Sequence, residues 1–183
     1  HGEPIMPPWP PDRTYSSFIG ERYLTDEQVH NFLDWVEQGG PQGDPALESP
    51  IPDFPSGSAI GTPDQIFEME SEYFIEGDNQ DYYRCFIFDT GWDEDKDIAA
   101  LEFRPGNSEA VHHAIFVSAP HGSLDDLDAA DPGNGYECFG DFGTTNISDF
   151  LGGYAPGVIT REWHEGLGQM IPADSDLIMQ IHY

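Results

Sequence analysis

From Phe67 onward the apolar side chains recur every second residue, and that periodicity restricts the fold more than any other feature of the chain. Phe67, Met69, Tyr73 and Ile75 fall on one face of an extended segment while Glu68, Glu70 and Glu72 fall on the other, the pattern of a strand with one buried face. Similar runs recur at Tyr82–Phe88, Ile98–Arg104, Val111–Ser118 and Leu177–Tyr183. Turn residues separate them, among them Thr90-Gly91, Pro105-Gly106-Asn107 and Pro132-Gly133-Asn134-Gly135. Short strands with such punctuation and no alternating helices predict a mainly β domain, an antiparallel β-sandwich or jelly roll.

The residues ahead of this region follow other rules. Met6-Pro7-Pro8-Trp9-Pro10-Pro11-Asp12 cannot be helix or interior strand, because each proline fixes φ and removes a backbone donor. A short helix is predicted next: Thr25 caps it, Gln28 completes a capping box, and Val29, Phe32, Leu33 and Val36 recur at helical spacing until Gly39-Gly40-Pro41. Residues 41–63 are rich in Pro, Gly, Ser and Asp with little periodicity, as in a linker wrapping a surface. The expected organisation is therefore a lead-in with a helical segment over 1–40, a linker over 41–63 and a β-sandwich over 64–183.

At 183 residues the chain can bury one sizeable core, or one domain with a small appendage. It carries 35 Asp plus Glu against 6 Lys plus Arg, a net charge of −29. Such an anionic surface repels phosphate backbones and anionic lipid headgroups, so nucleic acid is excluded as a partner. The acids are spread along the whole chain, as in a protein solvated in salty surroundings or a merely acidic secreted one. No window holds the roughly 18 consecutive apolar residues a bilayer span needs, and no basic-then-apolar leader opens the sequence, which predicts a soluble chain. With His1 at its start and no initiating Met, the sequence reads as a processed form or a fragment.

The two cysteines, Cys85 and Cys138, are too far apart for a compact zinc or redox motif, and Cys-x-x-Cys is absent. They form either one long-range disulfide or two buried thiols. The disulfide would stabilise the fold by about 3–5 kcal/mol in the chain-entropy picture and place the protein in an oxidising compartment, extracellular or periplasmic.

Of seven histidines, His112, His113 and His182 sit in strand-like apolar runs. A polar ring in such a setting is either hydrogen-bonded in the core or bound to a metal. Neighbouring side chains on a regular strand point to opposite faces, so His112 and His113 can meet one ion only if the strand twists or bulges, or if they use different ring nitrogens. With His182 on another strand they would make a neutral three-imidazole set, suited to copper or zinc and poorly suited to calcium or magnesium.

These residues carry a resemblance. Ala100-Leu101-Glu102-Phe103-Arg104-Pro105-Gly106-Asn107 followed by Val111-His112-His113-Ala114-Ile115-Phe116-Val117 resembles the His-His strand of the copper type II ascorbate-dependent monooxygenases, the family of peptidylglycine α-hydroxylating and dopamine β-monooxygenases. Leu151-Gly152-Gly153-Tyr154-Ala155-Pro156-Gly157, then Glu165-Gly166-Leu167-Gly168, then Leu177-Ile178-Met179-Gln180-Ile181-His182-Tyr183 follow in the order of that family's first domain. The resemblance covers roughly residues 64–183. It implies an antiparallel jelly-roll sandwich, an electron-transfer copper held by His112, His113 and His182, a disulfide between Cys85 and Cys138, and ascorbate or another reductant as electron source. The family's substrate-oxidising copper lies in a second domain with a His-x-His pair and a Met, and no His-x-His occurs here. The copper domain would thus be incomplete as a hydroxylase by itself.

Met6-Pro7-Pro8-Trp9 with the helix Thr25–Gln38 and Gly39-Gly40 is similar to the tail of a small c-type cytochrome domain that precedes this copper domain in some bacterial secreted proteins. Met6 matches the axial ligand of haem c in that pattern, but Cys-x-x-Cys-His is absent, so Met6 is either a ligand separated from its haem-binding half or a packing residue. Asp93-Glu94-Asp95-Lys96-Asp97 and Asp125-Asp126-Leu127-Asp128 lack the spacing and glycine of an EF-hand loop and read as solvated turns. His121 and His164 read as surface residues, and His1 forms a copper-chelating brace only as a mature terminus. No Ser-His-Asp context, phosphate loop or Gly-x-Ser-x-Gly elbow occurs. The expected function is an electron-transfer copper domain of a secreted monooxygenase-like protein, with a neighbouring haem domain or second copper domain as partner. The alternatives are a structural or assembly β-sandwich whose His cluster is structural or vestigial, and a zinc hydrolase built on the same three histidines.

Overall fold

A computed structural model of the chain describes residues 12, 14–17, 21, 23–51, 57–158 and 160–183. The chain divides into two compact units, His1–Asp53 and Phe54–Tyr183. In the first, α1 spans Asp26–Glu37. Thr25 Oγ1 accepts from the Gln28 N–H at 3.2 Å and Gln28 Oε1 accepts from the Thr25 N–H at 2.8 Å, the reciprocal capping box its spacing predicts. Gly39 and Gly40, at φ 84° and 65°, end the helix in the left-handed region that glycine adopts without penalty. A single 3-10 turn follows at Pro45–Leu47. The proline-rich lead-in and Met6 lie outside the described residues.

The second unit is mainly β. Its described strands are β1 (Tyr83–Asp89), β2 (Lys96–Ile98), β3 (Ala100–Glu102), β4 (His113–Pro120), β5 (Tyr136–Glu137), β6 (Asp149–Tyr154), β7 (Thr160–Glu162), β8 (Gln169–Ile171) and β9 (Ser175–His182), with one short helix, α2, at Asp125–Ala130. All pairings are antiparallel. One five-stranded sheet runs β5-β1-β9-β4-β6, and two ribbons pair β2 with β8 and β3 with β7. Because β9 lies between β1 and β4 with both faces covered, every residue in it but Leu177 is buried. That position explains why the consecutive Leu177-Ile178-Met179 and then Ile181 are apolar, with no solvent face to alternate with.

Register assigns the side chains to two cores. On one face, β1, β9 and β4 align Tyr83, His182 and His113 in a first row, then Cys85, Gln180 and Ile115, then Ile87, Ile178 and Val117, and finally Asp89, Asp176 and Ala119. The middle of that face packs with Leu124, Tyr136 and Cys138. On the other face Phe86, Ala114, Met179 and Ile181 pack with Val111 and Tyr154, joined by half-buried Met69, Tyr73 and Phe103. The first face is thus apolar in its centre, with histidines at one end and carboxylates at the other.

Two sequence expectations need correction. Phe67–Ile75 is not a strand: Phe67, Met69, Tyr73 and Ile75 are half-buried and their neighbours exposed, as the alternation predicts, but the backbone pairs with no other strand. Its apolar side chains dock on the sheet directly, Phe67 against Phe88 and Trp92 and Tyr73 against Phe86. Burial alternation requires an extended chain over a core, and it does not require a ladder partner. Ile98–Arg104 is likewise not one strand, since the chain changes partners at Ala99, from β8 to β7.

Candidate metal centre

The Tyr83–His182–His113 row places His182 and His113 side by side on neighbouring strands. His112 joins them because the alternation slips just before β4. Val111 and Ala114 both pack into the second core, so His112 and His113 are both left to the opposite face. His112 precedes the strand, yet its N–H donates to the His182 carbonyl at 2.8 Å, which anchors it to β9.

All three rings present the same atom to one another. Nδ1 of His112 lies 3.2 Å from Nδ1 of His113 and 2.9 Å from Nδ1 of His182, and His182 and His113 are 3.3 Å apart. The ring planes cross at 63°, 82° and 70°. Three neutral imidazoles in a triangle cannot all satisfy each other, because each Nδ1 offers either one N–H or one lone pair in its ring plane. The separations are those of three donors about 2.0–2.1 Å from a shared centre at angles of roughly 90–110°. The set can therefore hold a metal ion.

The surroundings prepare the rings for that task. His182 Nε2 lies 3.1 Å from Asp81 Oδ1, so Nε2 carries the proton it donates there and Nδ1 keeps its lone pair. Tyr83 stacks on the His182 ring at 4.1 Å between centroids and an interplanar angle of 7°, while Phe139 meets Tyr83 edge-on at 4.9 Å. Behind this row a disulfide joins Cys85 to Cys138. Gln180 Nε2 donates to the Cys138 carbonyl at 2.8 Å and the Asp141 carbonyl at 3.0 Å, and the Cys138 N–H donates to the Tyr83 carbonyl at 3.3 Å. The loop that carries Phe139 is thereby held against β1 and β9.

His182 is buried, His113 half-buried and His112 exposed, so the cluster opens to solvent on the His112 side. Burial, followed by the neighbouring His182 and His112 rings, holds the His113 pKa below the ordinary histidine value.

Asp81, Tyr83 and Phe139 carry no signal in the sequence, because they meet the cluster only through strand register and the disulfide. Met6 and His1 lie outside the described residues. His164 is exposed, as predicted. His121 is exposed too, but its Nδ1 lies 2.8 Å from the buried carboxylate of Asp176. Within Asp93–Asp97, Glu94 pairs with Lys96 and Asp95 accepts from the Ala173 N–H, while Asp125 begins α2. Among the described residues no helix is long and apolar enough to cross a membrane. Comparison of the chain with protein-family models, with characterised proteins and with solved structures finds no match.

Proposed function

We propose that the second unit is the electron-transfer copper domain of a secreted, copper-dependent monooxygenase-like protein, with the jelly-roll design of that family, and that it needs a second copper domain to hydroxylate a substrate. The observation that carries this reading is the convergence of Nδ1 from His112, His113 and His182 within 2.9–3.3 Å of one another. Three neutral imidazoles suit both oxidation states of copper, and thiolate or carboxylate ligands are missing from the set. Bound there, copper would supply one-electron chemistry, accepting an electron from ascorbate or a neighbouring haem and passing it toward the second copper.

The chain's own residues have separable roles in this proposal. Asp81 fixes the His182 tautomer, Tyr83 restrains the ring's tilt, and the half-buried His113, its pKa held below the ordinary histidine value by burial, favours the neutral form that ligates. His112 borders solvent, where a small reductant or a partner's redox group can approach. The Cys85–Cys138 disulfide supports an oxidising compartment, extracellular or periplasmic. Met6 would serve as a haem ligand only alongside a haem-binding segment bearing Cys-x-x-Cys-His.

Copper loading followed by metal analysis, electron paramagnetic resonance and thermal melting tests the proposal. The expected result is one copper per chain at the cluster, a type 2 spectrum with nitrogen splitting, and a copper-dependent rise in melting temperature that His113→Ala abolishes. A diamagnetic, metal-free sample, or identical melting curves with and without copper in the parent protein, favours the structural β-sandwich instead.

A further inference from the structure

The opposite end of the same sheet face holds a second group of metal-ligating side chains. Asp89 on β1 and Asp176 on β9 are directly paired, and His121 directly follows β4, the strand that pairs with β9 on its other side. His121 Nδ1 lies 2.8 Å from Asp176 Oδ1 and 3.8 Å from Asp89 Oδ1. Both separations suit donors about 2.0–2.2 Å from a common centre. The His121 N–H donates to the Asp174 carbonyl at 2.7 Å, which fixes the backbone under the ring.

The charge arrangement needs a cation. Asp176 is only 2 % exposed, yet its partners are the Gly122 N–H at 2.9 Å and His121, and among the described residues no Lys or Arg pairs with it. A buried carboxylate without a permanent countercharge is costly, and here a second carboxylate, Asp89, stands beside it. Two carboxylates and a neutral imidazole sum to a charge that one divalent ion cancels. With His121 and Asp89 exposed over the buried Asp176, the remaining coordination positions face water.

We infer that Asp89, His121 and Asp176 form a second metal site, separate from the three-histidine cluster, that takes one divalent cation such as Mn2+ or Zn2+ through one imidazole nitrogen and two carboxylate oxygens. One N and two O donors with water suit a harder ion than three imidazoles do, so Mn2+ discriminates between the two sites. The sites lie at opposite ends of β9, about 20 Å apart at roughly 3.3 Å per residue. An ion at the second would pin β1, β9 and the β4–α2 turn together.

Mn2+ is the probe, used near 1 M salt, where the Debye length falls to about 3 Å and diffuse binding to the acidic surface is suppressed. The expected result is one saturable Mn2+ with a directly coupled 14N in electron spin-echo modulation. Affinity should fall at least tenfold in His121→Ala and in Asp89→Asn, and stay at the parent level in His113→Ala. Absence of the coupled nitrogen, or a His121→Ala affinity within twofold of the parent, overturns the assignment. A lower melting temperature in His121→Ala that is the same with and without Mn2+ also overturns it, by reducing the group to a structural His121–Asp176 hydrogen bond. Because His113→Ala leaves this site intact, its failure is distinguishable from failure of the copper proposal.

Discussion

At His182 the two ring nitrogens have different jobs, Nε2 meeting Asp81 and Nδ1 facing His112 and His113. Asp81→Asn weakens the acceptor and frees the ring to change tautomer, so copper affinity is expected to fall about 10–100-fold with the fold intact. Competition titration against a copper chelator checks this, and unchanged affinity would refute the role given to Asp81. Arg84 shows a purely structural use of charge. It is buried beside Asp131, with Nη1 2.7 Å from Oδ2, and it also donates to the Asn134 and Gly135 carbonyls. The Arg84 hydrogen bond, with those of the Gly133 and Glu137 N–H groups, lowers the Asp131 pKa from 3.8 to about 2. The folded state therefore binds fewer protons than the unfolded one in that interval, and the stabilisation is full above about pH 4 and lost as pH falls toward about 2. The unfolding free energy from denaturant titrations should drop across that window in the parent and drop less in Asp131→Asn, by about 1–2 kcal/mol.

Among the elements, β9 decides most, because it contributes His182, Gln180, Ile178 and Asp176 to one face and so joins both polar ends through the apolar centre. The disulfide closes the remaining side by tying β1 to the loop after β5 across 53 residues. Cys85→Ala with Cys138→Ala is expected to cost about 4 kcal/mol, since the chain-entropy term grows with the logarithm of loop length. Urea unfolding measures the loss. The same variant should broaden the copper spectrum, as Phe139 and Tyr83 lose the restraint that orients the His182 ring. A loss below about 1 kcal/mol would mean that the Gln180 hydrogen bonds to Cys138 and Asp141 suffice to hold the loop.

For the whole molecule the controlling quantity is the net charge of −29. Self-repulsion of that size weakens the compact state, and salt screens it. The melting temperature is expected to rise with added neutral salt, and a flat or falling curve would contradict this. The same field opposes an anionic reductant. Reduction of the copper-loaded protein by ascorbate should therefore accelerate as ionic strength increases, and stopped-flow absorbance measures that slope. A salt-independent rate would mean that the anions lie too far from the His112 side of the cluster to matter.

The helix with its capping box and the mainly β second unit were legible in the residues themselves. Capping and two-residue alternation are local, and they depend on neighbours along the chain. The three histidines were legible as members of apolar runs, and the two cysteines as a possible pair. What local rules left open, tertiary structure decided. Adjacent imidazoles point apart on a regular strand, and only the packing of both Val111 and Ala114 into the second core turns His112 and His113 to the same face. The alternation at Phe67–Ile75 described burial faithfully but could not say that the segment has no ladder partner. Asp81, Tyr83 and the Asp89–His121–Asp176 group were invisible for the same reason: strand register is set by which distant segments pair, and no single segment carries that information.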